Sequence, residues 1–380
     1  MYLTRKIESE VLKAIQNYPV TALTGPRQCG KSTLAKKILS NFPDSIYLDL
    51  ERPSDLLKLE NAEWFYSSQK AKLICIDEIQ RLPELFPVIR SLVDEWQTNS
   101  CFLILGSASQ ELLKQSSESL AGRIAYKTLA PFILKEIQNQ CSTEEYICKG
   151  GFPKSLLTKD FQTSFEWRET FILTFLEKDL LQWTGFSSAS MRRLWQMLSH
   201  LNGQTINYST LGNSLGITST TVKTYIDLLA STYMVEVIPP YISNLGKRLV
   251  KAPKIYISDS GISAALLGLK SVDDIFGHPG LGQLWEQIVL SNLKILYPGA
   301  EFYFYRTSNG SEVDFVMKYH NKVYVIECKS SYTPILTKGN YNAFEDISAD
   351  KVFIVTPSKS NWSMKEGIDV ISIDDLDSII

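Results

Sequence analysis

Eight residues, Gly25-Pro26-Arg27-Gln28-Cys29-Gly30-Lys31-Ser32, constrain the fold of this chain more than any other feature. They stand between an apolar run, Val20 to Thr24, and a segment with helical spacing through Leu34, Ile38 and Leu39. A strand that turns through a glycine-rich loop into a helix gathers backbone N–H groups and adds the positive end of the helix. Gly25 and Gly30 supply the backbone freedom that such a loop needs. The spacing GxxxxGK(S/T) is that of a phosphate cradle. Lys31 can reach the β- and γ-phosphates of a nucleotide, and the Ser32 hydroxyl can join a Mg²⁺ shell.

The first third of the chain fits that loop. Ser45–Leu50, Leu73–Asp77 and Cys101–Gly106 are short apolar strand candidates, separated by helical patterns such as Leu85 to Trp96. This alternation predicts a parallel sheet covered on both faces, closing near Pro131. Leu73-Ile74-Cys75-Ile76-Asp77-Glu78 ends in adjacent acids, which an apolar strand carries only with compensation. Asp77 is expected to hold the water shell of Mg²⁺, and Glu78 to orient and deprotonate the attacking water. Ser107, after Phe102-Leu103-Ile104-Leu105-Gly106, is placed at the C-terminal sheet edge, either as a γ-phosphate sensor or as a helix N-cap. Arg123, in Ser119-Leu120-Ala121-Gly122-Arg123, is either an arginine finger for a neighbouring subunit or a surface ion pair.

At 380 residues, two or three domains are expected. A net charge of −2 argues against a protein that coats nucleic acid by global positive charge, and leaves local basic patches open. The six cysteines show no CxxC spacing and there are three histidines, so a structural zinc site is not expected. The N-terminus lacks the apolar core of a signal peptide and no run reaches membrane-spanning length, which predicts a cytoplasmic chain with no membrane partner.

A helix-rich stretch, 136–204, is interrupted by Gly150-Gly151-Phe152-Pro153, with apolar stripes through Phe171, Phe175, Leu176 and Leu180 and through Leu194, Met197 and Leu198. Within 205–260, Leu211, Leu215, Ile217, Val222, Ile226 and Leu229 space out as a helix–turn–helix core, with Gly216 at the turn and Thr218 or Ser219 as N-cap. Its second helix offers Thr220, Lys223 and Thr224 outward. The cluster Lys247, Arg248, Lys251 and Lys254 is expected to meet DNA phosphates, the rival being a winged helix used for protein packing.

In 261–380, a helix from Leu284 to Leu296 precedes strands at Glu301–Arg306, Glu312–Met317 and Lys322–Cys328. The two-residue period of a strand puts Glu327 and Lys329 on one face, with Asp314 across the ladder and Glu286 on the helix as a third acid. Carboxylates so placed can hold Mg²⁺ (Glu286, Asp314, Glu327) while a lysine positions the attacking water.

The runs GPRQCGKST (ending at Thr33), YLDLERPSD, LICIDEIQRLPELFPVIRSLVDE, LGSAS and SLAGR, in this order, resemble the AAA+ ATPases of a large prokaryotic family that carry a C-terminal domain of unknown function. GGFP at 150–153, FLEKD at 175–179 and SDSG at 258–261 resemble that family's second half. The resemblance implies a P-loop α/β fold, ATP and Mg²⁺ as cofactors bound through residues 25–33, and assembly into a homo-oligomer. Asp314, Glu327 and Lys329 resemble the acid, acid and lysine with which the PD-(D/E)XK nuclease superfamily cuts phosphodiesters. The expected fold class is thus α/β: an AAA+ P-loop domain (1–135), a helical region (136–204), a winged helix–turn–helix (205–260) and a restriction-endonuclease-like domain (261–380). The expected function is Mg-ATP hydrolysis coupled to action on DNA. The alternative is a nucleotide-gated switch or scaffold that binds a protein through an inactive nuclease fold.

Overall fold

Burial sorts the strands of the first sheet. In the computed structural model, β1 (Val20–Thr24) is buried throughout, β2 (Ile46–Asp49) only in part, β3 (Ile74–Asp77) and β4 (Phe102–Leu105) throughout, and β5 (Ile124–Thr128) is partly exposed. Strands buried on both faces belong inside a sheet and half-exposed ones at its edges. The observed order, β2-β3-β4-β1-β5, obeys this. Every ladder is parallel. The chain leaves β1 for the far edge, returns through β3 and β4, and then adds β5 on the other side. The strand order therefore reverses at β1, and the loop after β1 lies where ligands collect in such sheets.

The structure describes residues 2–70, 72–106, 119–138, 140–179, 187–242 and 250–380. Ser107, Leu180, Lys247 and Arg248 lie outside them. The helix Leu85–Trp96, as expected from its spacing, buries Leu85, Phe86, Ile89, Leu92, Val93 and Trp96 in one core with Ile74, Ile76, Phe102 and Ile104. Trp96 stacks on Phe102 at 5.7 Å between ring centroids, and Tyr66 meets Phe102 edge-on at 5.3 Å. Each large side chain withdrawn from water here contributes about 1.5–3 kcal/mol.

Two compact units divide the chain: Met1–Phe132 with Ser231–Tyr233, and Ile133–Ala230 with Met234–Ile380. The three regions read from the sequence beyond residue 135 thus belong almost wholly to the second unit. Its helices Tyr208–Leu215 and Ser219–Ser231 meet at Gly216, whose φ of 68° is the left-handed value that favours glycine. Thr218 Oγ1 accepts the Thr221 N–H at 3.1 Å. Beside them β6 (Gln204–Thr205), β7 (Val235–Ile238) and β8 (Lys254–Ile257) form a small antiparallel sheet, ordered β6-β8-β7.

A six-stranded sheet follows. It holds β9 (Glu301–Arg306), β10 (Glu312–Tyr319), β11 (Lys322–Cys328), β12 (Lys351–Thr356), β13 (Trp362–Lys365) and β14 (Ile368–Ser372), in the order β13-β14-β12-β11-β10-β9. The first three strands form an antiparallel meander, and β11 then pairs in parallel with β12 after the helix Lys338–Ile347. Strands β12 to β14 have no counterpart in the sequence reading.

The GGFP and SDSG runs make one buried knot. Asp259 accepts the N–H groups of Gly151 (2.7 Å) and Ile262 (2.9 Å). A Cβ at Gly150 would lie 2.1 Å from Asp259 Oδ1, and one at Gly261 would lie 2.3 Å from the Lys149 carbonyl oxygen. Arg168, fully buried, donates to the carbonyls of Cys148 (2.7 Å) and Gly261 (2.8 Å). Packing is sufficient reason for those residue types. No helix among the described residues is long and apolar enough to cross a membrane.

Candidate functional site

The loop after β1 is shaped by close approach. A Cβ at Gly25 would lie 2.0 Å from the Leu129 carbonyl oxygen, so glycine is the residue that fits beside the end of β5. Cys29 Sγ donates to that same carbonyl at 3.3 Å. The Arg5 guanidinium donates to the carbonyls of Cys29 (3.1 Å) and Ala130 (2.6 Å), which ties the loop down from the N-terminal segment. Gly30, at φ 105°, opens the helix Lys31–Leu39 without a side-chain cap, so first-turn N–H groups are left for an anion.

Lys31 is only 6% exposed, and its Nζ donates to the carbonyls of Gly25 (3.0 Å) and Pro26 (2.8 Å). Neutral carbonyls are modest partners for a buried ammonium, and a phosphate is a much stronger one. Asp77, at the end of β3, is 5% exposed and accepts the Glu78 N–H at 3.0 Å. The Tyr47 hydroxyl of β2 donates to the Asp77 carboxylate, and Ser32 hydrogen-bonds to the same hydroxyl. Burial first, and Asp77 next, push the Tyr47 phenol well above its ordinary range. The two side chains expected at Mg²⁺ therefore converge on one atom of the protein.

Glu78 holds a left-handed backbone, φ 58°, which is uncommon for a residue with a side chain and gathers at functional sites. Burial raises its carboxyl above the usual glutamate value, Lys31 opposes that rise, and Asp77 adds to it. Gln80 Nε2 donates to its Oε2. A raised carboxyl beside a lysine is the electrostatic profile of a general base. The donors and acids present fit a Mg-nucleotide.

Arg123 forms a two-point ion pair with Asp94, Nε to Oδ1 at 2.5 Å and NH2 to Oδ2 at 2.9 Å, at an exposed position. Of the two readings for this residue, the ion pair is the one that the single chain makes.

The second unit holds another charged constellation. On β10 the register slips between Val313 and Val316, so that Asp314 and Phe315 stand opposite the single residue Phe304 of β9. Such a bulge re-aims a side chain. Asp314 Oδ2 accepts the Cys328 N–H at 2.8 Å. Glu327 accepts from Lys329 Nζ (2.6 Å), Asn340 Nδ2 (3.0 Å) and the Asp314 N–H (3.4 Å). Glu286, on the helix Leu281–Leu296, accepts from the Tyr256 hydroxyl at 2.7 Å. Burial, reinforced by Asp314, raises the carboxyls of Glu286 and Glu327 to about 8, and burial raises Asp314 as well.

Between Glu286, Glu312 and Asp314 stands Lys254 of β8, 3% exposed. Its Nζ lies 3.2 Å from Glu312 Oε1, 3.8 Å from Glu286 Oε2 and 3.9 Å from Asp314 Oδ1. Burial alone would lower its ammonium; Glu286, Asp314 and Glu312 overcome that and hold it above the usual lysine range. This corrects the assignment of Lys254 to a DNA-facing cluster: period-2 alternation turns Lys254 and Tyr256 together toward Glu286, while Lys251 is exposed. Among the described residues no three His, Cys, Asp or Glu side chains are grouped to hold a metal ion. Glu286 and Asp314 do come together, but around an internal cation beside which a Mg²⁺ does not fit, and Glu327 is answered by Lys329 and Asn340.

Tyr47, Tyr256, Lys254 and Asn340 were missed as site residues. Lys254 carried a signal, a lysine opening the otherwise apolar strand Lys254-Ile255-Tyr256-Ile257; Asn340 carried none.

Comparison with known proteins agrees with the first site. A model described as an AAA domain matches residues 17–138, a domain of unknown function (DUF8612) matches 110–273, and another (DUF4143) matches 281–376. The chain is 34% identical over 373 residues to the uncharacterized proteins Rv2008c of Mycobacterium tuberculosis and Mb2031c of Mycobacterium bovis, a span of 98% of this chain and 84% of each relative. It is also similar to a solved structure, the Walker-type ATPase of Pyrococcus abyssi, at 16% identity and a TM-score of 0.49, covering 70% of this chain and 96% of that one. With its phosphate loop, its paired acids, the match to the AAA-domain model and 34% identity to the mycobacterial proteins over 98% of its length, the chain belongs to the AAA-domain family of P-loop ATPases.

Proposed function

We propose that the chain binds and hydrolyses Mg-ATP at the Gly25–Ser32 loop, and that nucleotide state governs the engagement of DNA by its second unit. The observation that carries the first half is the buried Lys31 ammonium, hydrogen-bonded to loop carbonyls, beside a Glu78 whose carboxyl is raised by burial. Mg²⁺, held by Ser32 and Asp77, would supply charge stabilisation to the phosphoryl oxygens. Lys31 exchanges its carbonyls for phosphate oxygens. Glu78 accepts the proton of the attacking water, and Asp77 fixes Glu78 by holding its backbone N–H at 3.0 Å. Arg123, released from Asp94, is the group proposed to complete a neighbouring subunit's site in a homo-oligomer.

DNA engagement is supported by the helix pair Tyr208–Leu215 and Ser219–Ser231, read as a winged helix, with Thr220, Lys223 and Thr224 exposed on its second member. ATP turnover measured with duplex, single-stranded and branched DNA over a salt series tests this. DNA is expected to raise turnover, and salt to remove the effect as counterions compete. Turnover indifferent to every DNA, with no binding at low salt, overturns the DNA half and leaves the ATPase half standing.

Lys254 favours a second reading for the C-terminal sheet, a nuclease-like fold kept as a binding platform. Supercoiled plasmid should then survive Mg²⁺ or Mn²⁺. Cutting that disappears in Asp314→Ala, purified identically, overturns it.

A further inference from the structure

The acids of the second unit are a complete electrostatic set without an ion from solution. Every one has protein donors: Glu286 has Tyr256 and Lys254, Glu312 has Lys254 and Arg306, Asp314 has the Cys328 N–H and Lys254, and Glu327 has Lys329 and Asn340. Lys254 reaches them from a different sheet, from a strand buried along its whole length. The Phe304 ring lies 5.6 Å from its ammonium. An ammonium so enclosed is largely withdrawn from water and is held by the protein's own acids. A divalent cation coordinated by Glu286 and Asp314 would sit at about 2 Å from their oxygens. It would then lie within contact range of the ammonium, where like charges in a dry interior repel strongly.

We propose that Lys254 is a built-in replacement for the metal ion of this acid constellation, so that the wild-type site excludes divalent cations and a neutral residue at 254 opens it to them. The inference deepens the platform reading and does not depend on nucleotide chemistry.

The test is Mn²⁺ binding to nucleotide-free, full-length protein in an Asp77→Asn background, which removes the phosphate-loop metal position. Free Mn²⁺ is read by electron paramagnetic resonance. Without a substitution at 254, no Mn²⁺ should bind below millimolar concentration. Lys254→Met should gain one site, at least tenfold tighter, and Asp314→Asn added to it should abolish the gain. Mn²⁺ should also raise the Tm of Lys254→Met alone. Lys254→Arg, which keeps the charge, should fold and bind none. A Mn²⁺ held with Lys254 in place and lost in Asp314→Asn overturns the proposal, and so does a folded Lys254→Met that binds none. If Lys254→Met fails to fold, Lys254→Gln, a neutral polar substitute, carries the same test. A gained Mn²⁺ site lost again with Asp314→Asn upholds the proposal. A folded Lys254→Gln that binds none, or binding in the parent or Lys254→Arg, overturns it. Plasmid cutting assayed in the same samples reports on the platform reading separately.

Discussion

The two charged centres of this chain use the same ingredients, carboxylates and a buried lysine, and leave them in opposite states. In the first unit, among the described residues Lys31 hydrogen-bonds to the carbonyls of Gly25 and Pro26 with the Glu78 carboxyl nearby, and the acids Asp77 and Glu78 are engaged by Tyr47 and Gln80. In the second, Lys254 stands among Glu286, Glu312 and Asp314. A lysine held by neutral carbonyls gains by exchanging them for phosphate, whereas one enclosed by carboxylates gains nothing from a new ligand. The difference between a site and a strut here is whether the charge is already answered.

Loss of the water-activating base should have the largest effect. Glu78→Gln is expected to keep ATP bound and to lower turnover by about 10²–10⁴-fold. Normal steady-state turnover in that variant would remove Glu78 from the chemistry and blur the contrast between the centres. Close behind, Lys254→Ala should cost about 3–5 kcal/mol of stability, because it leaves buried carboxylates without their cation. Urea unfolding measures this, and a loss under 1 kcal/mol would mean the lysine is not the strut described.

Lys31→Ala should weaken nucleotide binding by about 100-fold, through the loss of charge-assisted hydrogen bonds each worth about 1.5–3 kcal/mol. Its stability should change little, since only loop carbonyls lose a partner. A large drop in Tm with intact ATP affinity would reverse the comparison.

The acid cluster also predicts a pH dependence. Glu286 and Glu327 are raised from the ordinary glutamate value of 4.5 to about 8, so the folded state binds protons more tightly than the unfolded one. Their contribution is fully present below pH 4.5 and is lost as pH rises to about 8. Unfolding midpoints between pH 5 and 8.5 should therefore fall less steeply in Glu286→Gln than in wild type. Parallel slopes would mean that the carboxylate is already ionised at the lower pH.

The smallest effect on stability should come from Arg123→Ala, whose exposed pair with Asp94 is screened by water. Its Tm should barely move. Lost turnover in that variant, partly restored by mixing with Lys31→Ala protein, would mark Arg123 as acting across subunits. Unchanged turnover would leave it as the ion pair seen here.

Much of the first unit is local and so was legible. Continuous apolar runs are strands, and β1, β3 and β4 fall within a residue of the expected bounds. Glycines at positive φ mark the loop, and one motif supplies Lys31 and Ser32 together. The second unit was legible in its meander, β9 to β11, for the same reason of alternation. Strands β12 to β14 went unread, although β12 and β14 are largely apolar, and Asn340 lies in a helix with nothing local to tie it to Glu327.

By itself the sequence determined that this chain carries a phosphate loop followed by a paired-acid strand, because both are short motifs whose chemistry resides in adjacent residues. Only the tertiary structure decided what the remaining charges do. Lys254 and Glu312 are 58 positions apart, yet they lie 3.2 Å from each other, and Tyr47 reaches Asp77 from a neighbouring strand. A lysine near other lysines in the sequence reads as a surface for phosphate. Buried in a strand and turned inward, it answers the carboxylates that the fold has gathered, since a charge withdrawn from water must find its counter-charge inside the protein.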